Sequence, residues 1–484
     1  MKLNKVLALM LALSLVILMS ACAAKPTPAA ETTAAPTTAA PTEAAKEPVT
    51  IKYVQQLQAD ESANEFYKQL MAQYEEASGN KVDFELIPED QYRTWLTTQF
   101  AAGSGPDVYY AILYDAAADF GKGYLYNFND AVKQENKYEP GMPWRDTISD
   151  VLMDRCVLSD TEVIGVPTTT SAVRIFYNVD LFRKAGIEKT PATWTEFMDS
   201  LAKLKAAGVT PIAFPNATIA DLNYLWFGNS VVSQLATKEL LPKIDLNKNN
   251  FAEQNELAYA VDEGLLDFSS PAIQEAFKLM KDFSANWNND FNAMTQQDAL
   301  EAFLRGDVAM TMTGSWQLRL IDGTEKSFEY GVMPVPTIMK DTSAFAQEQS
   351  VVLGGQPDGI MCVNKASSPE KIEAAIDFAM YMSSADIQAQ KTENVYVLPT
   401  SQTVSLPETL KGFMITEDML RIAYFTGINE EIRNVYHRGG QQYLAGDISL
   451  DEYSKTLNEA YKTVLDALKT ENGWTKDNLY GTKK

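Results

Sequence analysis

Between Val49 and Leu113 the chain repeats one pattern: an apolar extended run, an amphipathic run at helical spacing, and a short joint. VTIKYVQQ (49–56), KVDFELI (81–87) and DVYYAIL (107–113) have strand character. The first intervening run carries Phe66, Leu70 and Tyr74 on one helical face, with Asp60 placed to cap it and Gly79 to end it. QYRTWLTTQFAAG (91–103) reads as the second helix. Strand–helix–strand–helix–strand with joints this short predicts a parallel α/β sheet. In open sheets of that kind ligands sit beyond the carboxyl ends of strands, which directs attention to Gln55–Gln58, to Tyr114 and Asp115, and to Trp316.

The globule begins late. Lys2 and Lys5 precede the apolar run VLALMLALSLVILM, and MSAC (19–22) places two small residues before a cysteine. This resembles the bacterial lipobox, with Met19 where leucine is more usual. It implies a signal peptide over residues 1–21, cleavage before Cys22 and diacylglycerol on the Cys22 thiol. The apolar run falls short of the about 20 residues a spanning helix needs. Residues 23–48 are Ala, Thr and Pro with almost no apolar bulk, so they cannot offset their ordering entropy and are expected to form a disordered tether. One acyl chain holds weakly and two hold stably, so the expected location is the extracytoplasmic face of the cell membrane, touched only through lipid.

Composition removes several function classes. With 41 basic against 64 acidic residues the formal net charge is −23, which argues against nucleic-acid partners. Cys156 and Cys362 either pair or stay as two buried thiols; the sequence leaves both open. A Ser-His-Asp catalyst would have to use His437, the single histidine, which stands beside two glycines in IRNVYHRGGQQYL and reads as solvent-facing or helix-capping. DLNKNNFAEQNE (245–256) puts Asp245, Asn247, Asn249 and Glu256 at calcium-loop positions, but Asn250 stands where such a loop needs glycine. It reads as a polar surface loop, and neither metal nor cofactor is expected.

Six segments carry a family resemblance, in order along the globule. LTTQFAAGSGPDVYYAILYD (96–115) resembles the AAGxxPDV segment of the extracellular solute-binding proteins of ABC sugar importers, the family that includes maltose-binding protein. Residues 164–208, AFLRGDVAMTMTGSW (302–316), YGVMPVPT (330–337), 354–390 and YLAGDISLDEYSKTLNEAY (443–461) are similar to its later blocks. The resemblance implies a two-lobed periplasmic-binding-protein-like fold, with two parallel-rich sheets flanked by helices. It places hinge crossings near Val166–Thr170, Leu353–Pro357 and residues 400–410. Lobe one would hold 49–166 plus 357–400, and lobe two 167–356 plus 401–484. The implied role is a monomeric receptor that delivers a carbohydrate to ABC permease transmembrane subunits. Rival expectations are a surface glycoside hydrolase, which needs two carboxylates flanking the scissile bond, and a sugar-binding adhesin or sensor.

Sugar recognition asks for aromatic platforms under apolar ring faces and planar polar side chains for hydroxyls. Val308, Met310 and Met312 alternate with Ala309, Thr311 and Thr313 as in a strand, and Trp316 follows just past Gly314 and Ser315. The resemblance places a stacking aromatic at Trp316; the alternative is a core plug. Asp115 and Tyr114 follow the third strand, against the alternatives of a helix cap and a buried ring. Gln56 ends the first strand in a loop where relatives carry an aromatic. Arg174 and Asn216 follow probable strands in lobe two, with solvated surface as the alternative. Trp226 lies on a helix-like stretch that favours core packing over ligand contact, and Trp194 reads as structural. Gly354 and Gly355 at the second crossing admit a ligand near backbone or supply hinge dihedrals.

Overall fold

The computed structural model describes residues 47–58, 60–218, 223–248, 252–416, 419–421 and 430–482. Cys22, the leader and most of the tether lie outside them, as do Asn249 and Asn250.

The opening pattern folds as its residues dictate. β1 (Thr50–Gln56), α1 (Glu61–Ser78), β2 (Lys81–Ile87), α2 (Glu89–Ala101) and β3 (Val108–Ala111) follow in order, with β1 parallel to both β2 and β3. Asp60 accepts the Ser62 amide at 2.8 Å to cap α1, and Gly79 ends it in the left-handed conformation. Phe66, Leu70 and Tyr74 are buried. The third strand stops at Ala111, and α3 (Leu113–Gly121) starts at once, so Tyr114 and Asp115 occupy its first turn.

Beyond β3 the pairing turns antiparallel. β4 (Val166–Asn178) is 13 residues long, about 40 Å of extended chain. Its first half pairs with β7 (Gly354–Val363), and its second half with β5 (Met310–Gly314) and β6 (Tyr330–Met333). The order is β2-β1-β3-β7-β4-β5, with β6 also on β4. The expected α/β architecture therefore stands, but as one curled mixed sheet in which only β2-β1-β3 is parallel. The physical reason is that β4 is long enough to pair with β7 along its first half and with β5 and β6 along its second, so both groups of strands are built on one strand.

Two main cores flank that passage. Ile51, Leu70, Tyr109, Val166 and Phe378 belong to one; Val173, Phe227, Phe283, Tyr436 and Tyr461 belong to the other. A smaller cluster gathers Phe176, Phe303, Leu398, Leu410 and Phe413. Trp194, the first residue of α4 (Trp194–Ala206), is buried against Phe197, Phe227 and Phe283, as its structural reading expects.

One expectation is corrected, and one of two open alternatives is found. His437 neither faces solvent nor caps a helix: it is buried within α8 (Glu430–Ala445), which continues through both glycines because the Tyr453 and Tyr224 rings pack onto them. Cys156 and Cys362 are both free and buried, and burial pushes both thiols well up from their ordinary pKa.

Candidate functional site

β4 sorts its side chains by parity. Ala172 and Phe176 join the smaller cluster, whereas Val173 and Ile175 join the large core. Ser171 shares the face of Val173 and is half-buried, while Val166–Thr170 and Ala172–Phe176 are buried. The sheet is thus open to solvent around Ser171.

An acidic group lies beside that opening. Tyr110 of β3 donates its hydroxyl to Asp358 Oδ1 at 2.7 Å, and the Ser171 hydroxyl and Gly359 amide also hydrogen-bond this carboxylate. Asp358 is half-buried, and burial raises its pKa against the pull of those donors. Sequence reasoning missed it. Gln-Pro-Asp-Gly is turn chemistry, and here it runs as a strand because β4 pairs with Pro357 and Asp358, while β3 takes up the other edge from Ile360 onward.

Trp316 stands close by. Gly314 pairs with Val173, two residues along β4 from Ser171, or roughly 7 Å. The indole lies back over Gly314 so closely that a Cβ there would be 1.8 Å from the ring. Trp316 is 37% exposed, and Trp226 of α5 (Asn223–Ile244) meets it edge-on at 5.8 Å between centroids. β5 itself is buried on both faces, so the alternation of Met310 and Met312 with threonines separates two covered sides.

Tyr114 and Asp115 approach from the other half. Tyr114 packs against the large core although its helix follows β3; burial raises its pKa, opposed by Arg155 and by Arg433 of α8. Asp115 is half-buried and loosely held, with Arg93 Nε at 3.4 Å. Burial raises its pKa against the nearby Arg93 and Arg433, since Arg93 spends both terminal nitrogens on Asp119 at 2.7 Å. Arg433 Nε is a buried donor with no hydrogen-bond partner among the described residues. Neither Arg433 nor Asp358 was singled out from sequence.

The other sequence candidates are placed differently. Arg174 points to the opposite face of β4, is buried, and donates to the carbonyls of Gly412, Met414 and Val173 at 2.9–3.0 Å. Burial pushes its guanidinium down to about 10. It clamps a loop and is not solvated surface. Gly355 lies on that far side too, in a groove of about 480 Å³ with Thr170, Leu398, Phe413 and Met414. Asn216 is buried; its amide donates to Asn292 Oδ1 at 2.8 Å, and its carbonyl accepts from His437 and Gln441. Gln56 is half-buried at the end of β1, its carbonyl accepting from the Gln58 side chain. In the 245–256 loop, Glu256 accepts the amides of Leu246, Asn247 and Glu253 at 2.6–3.1 Å, so this carboxylate staples backbone.

Among the described residues no group of three or more His, Cys, Asp or Glu is arranged for a metal ion, and no helix is long and apolar enough to cross a membrane.

Comparison with known proteins gives three findings. The family profile described as bacterial extracellular solute-binding protein matches residues 58–389. Among curated sequences, a protein of Brucella abortus (strain 2308) named as a binding protein is 24% identical over 337 residues, covering 68% of this chain and 70% of that protein. The sn-glycerol-3-phosphate-binding periplasmic protein of Shigella dysenteriae serotype 1 (strain Sd197) is 27% identical over 233 residues, 48% of each. Among solved structures, a chitin oligosaccharide binding protein superposes with a TM-score of 0.68 at 18% identity, covering 87% of this chain and all of that one. At that identity the likeness establishes the two-lobed fold.

Proposed function

Since this chain belongs to the bacterial extracellular solute-binding proteins, we propose that it is the lipid-anchored receptor of an ABC importer, a binding protein and not an enzyme. It takes a carbohydrate, most naturally an oligosaccharide, into the cleft between its lobes and delivers it, as a monomer, to permease subunits. The observation that carries this reading is the exposed Trp316 indole, held over Gly314 and met edge-on by Trp226. Stacking a pyranose face there removes about 40–60 Å² of apolar surface from water, contributing about 1–1.5 kcal/mol. The lobes are taken as 49–166 plus 357–400 and 167–356 plus 401–484, a division supported by the two main cores. Closure then follows from a ligand touching Tyr114 and Asp115 on one side and Trp316 and Trp226 on the other. Moving a mostly open population to mostly closed needs about 5.5 kcal/mol of preference for the closed state.

The test is a thermal-shift screen against mono- and oligosaccharides. A ligand at 100 times its Kd stabilises by about 2.7 kcal/mol. Trp316→Ala is expected to weaken binding about tenfold, cutting that stabilisation roughly in half, and to leave the unliganded melting temperature nearly unchanged; unfolding of that variant overturns the reading. A second reading, a phosphorylated polyol, is favoured by the unpartnered Arg433 Nε and by the glycerol-phosphate-binding relative. Stabilisation by glycerol 3-phosphate, and by none of the sugars, would select it.

A further inference from the structure

Asp358 is an acid without a counter-charge among the described residues. The residues hydrogen-bonding its carboxylate are Tyr110 from β3, Ser171 from β4 and Gly359 from its own strand. From α1, Tyr67 is close enough to interact electrostatically. Each of these groups is neutral, and no lysine or arginine pairs with Asp358 among the described residues. Other acids nearby differ in this respect: Asp115 has Arg93, and Asp119 has both terminal nitrogens of the same arginine. Three donors converging on one carboxylate favour its ionised form, yet burying an ion without an opposite charge is costly. Asp358 nevertheless keeps accessible surface, beside the half-buried Ser171 in the middle of β4.

We propose that Asp358 is a specificity-determining residue of the cleft and that it selects a saccharide carrying a cationic amine. The ammonium supplies the missing charge and the hydrogen-bond donors that the carboxylate's remaining lone pair requires. Tyr110 completes the environment, its hydroxyl fixing one carboxylate oxygen at 2.7 Å and leaving the other free to meet the cation. Arg433 stands with Tyr114 and Asp115, so an amine at Asp358 and a hydroxyl or acidic group at Arg433 give the ligand a fixed direction in the cleft. The inference rests on the carbohydrate reading and sharpens it.

Calorimetric titration of the purified protein at pH 6 tests it, with three β-1,4-linked tetrasaccharides that differ only at C2: cellotetraose, the N-acetylated glucosamine tetramer and its fully deacetylated form. The deacetylated sugar is expected to bind at least tenfold tighter than the others, and the preference to shrink as pH falls and Asp358 takes a proton. Asp358→Asn is expected to bind all three alike. Tyr110→Phe keeps the carboxylate but removes one donor to it, so loss of preference is expected to begin at higher pH; it serves if the asparagine variant fails to fold. Equal or tighter binding of the neutral sugars by the wild type overturns the inference and leaves the carbohydrate reading intact. A preference that survives Asp358→Asn overturns it too. Binding of none of the three overturns it, and stabilisation by glycerol 3-phosphate alone would overturn the carbohydrate reading with it.

Discussion

Gly314 and Trp316 act as one device, because the ring occupies the space a side chain at 314 would need. Gly314→Ala drives the indole off its seat. With 37% of Trp316 already exposed, the ring can swing outward, so the folding cost is expected to stay near 1 kcal/mol. Sugar affinity should fall about tenfold, as far as in Trp316→Ala, because the platform is lost in both; calorimetry of the two variants checks this. The partial exposure of the Trp316 ring was one of the two outcomes the sequence left open, beside a core plug. Arg174 was not legible in the sequence. Its side of β4 depends on register, and a shift of one residue exchanges the faces. Asp358 was hidden because proline, aspartate and glycine together signal a turn, whereas pairing with β4 imposes a strand on them.

At the scale of elements, local chemistry wrote β1 through α2 correctly because caps, spacing and joints agree there. It misread α8, where Gly439 and Gly440 look like a helix end. A Cβ at 440 would approach the Tyr224 ring at 2.2 Å, and one at 439 the Tyr453 ring at 2.7 Å. Helix propensity alone favours alanine over glycine by about 1 kcal/mol, but overpacking costs about 1–3 kcal/mol. Gly440→Ala is therefore expected to lower the midpoint of denaturant unfolding, despite the better helix former. The antiparallel half of the sheet was equally illegible, since nothing local to β4 records that β7 returns beside it. At that junction Lys391 of α7 (Ala385–Val395) is 2% exposed and donates to the Thr168 carbonyl at 3.2 Å. Burial pushes its pKa down to about 7 from 10.5. Between those values the unfolded chain binds more protons than the native one, so stability rises with pH across that window. Melting temperatures from pH 6.5 to 9 should climb more steeply in the wild type than in Lys391→Met.

Across the whole molecule, the balance between open and closed lobes is set by contacts that exist without ligand. Arg319 lies on α6 (Leu318–Gly323), beside the smaller cluster, and its Nε reaches Asp60 Oδ2 at 2.7 Å and the Ser62 hydroxyl at 2.8 Å, at the start of α1. Its guanidinium also lies 5.8 Å from the centre of the Tyr396 ring. The pair is 30% and 27% exposed, so a value of about 1 kcal/mol or less is appropriate. That biases the equilibrium by up to about fivefold and leaves most of the about 5.5 kcal/mol for the ligand to supply. Because apparent affinity scales with the fraction already competent to bind, Arg319→Met should weaken sugar binding by up to fivefold without touching a ligand contact. Asp60→Asn should do the same while keeping the helix cap, since asparagine caps as well as aspartate. Small-angle scattering of the unliganded variants should show a larger radius of gyration than the wild type. Added salt should expand the wild type and leave Arg319→Met unchanged, because screening removes an exposed ion pair only where one exists. If both variants scatter like the wild type, the lobes are held together by apolar contacts and this ion pair does not govern their closure.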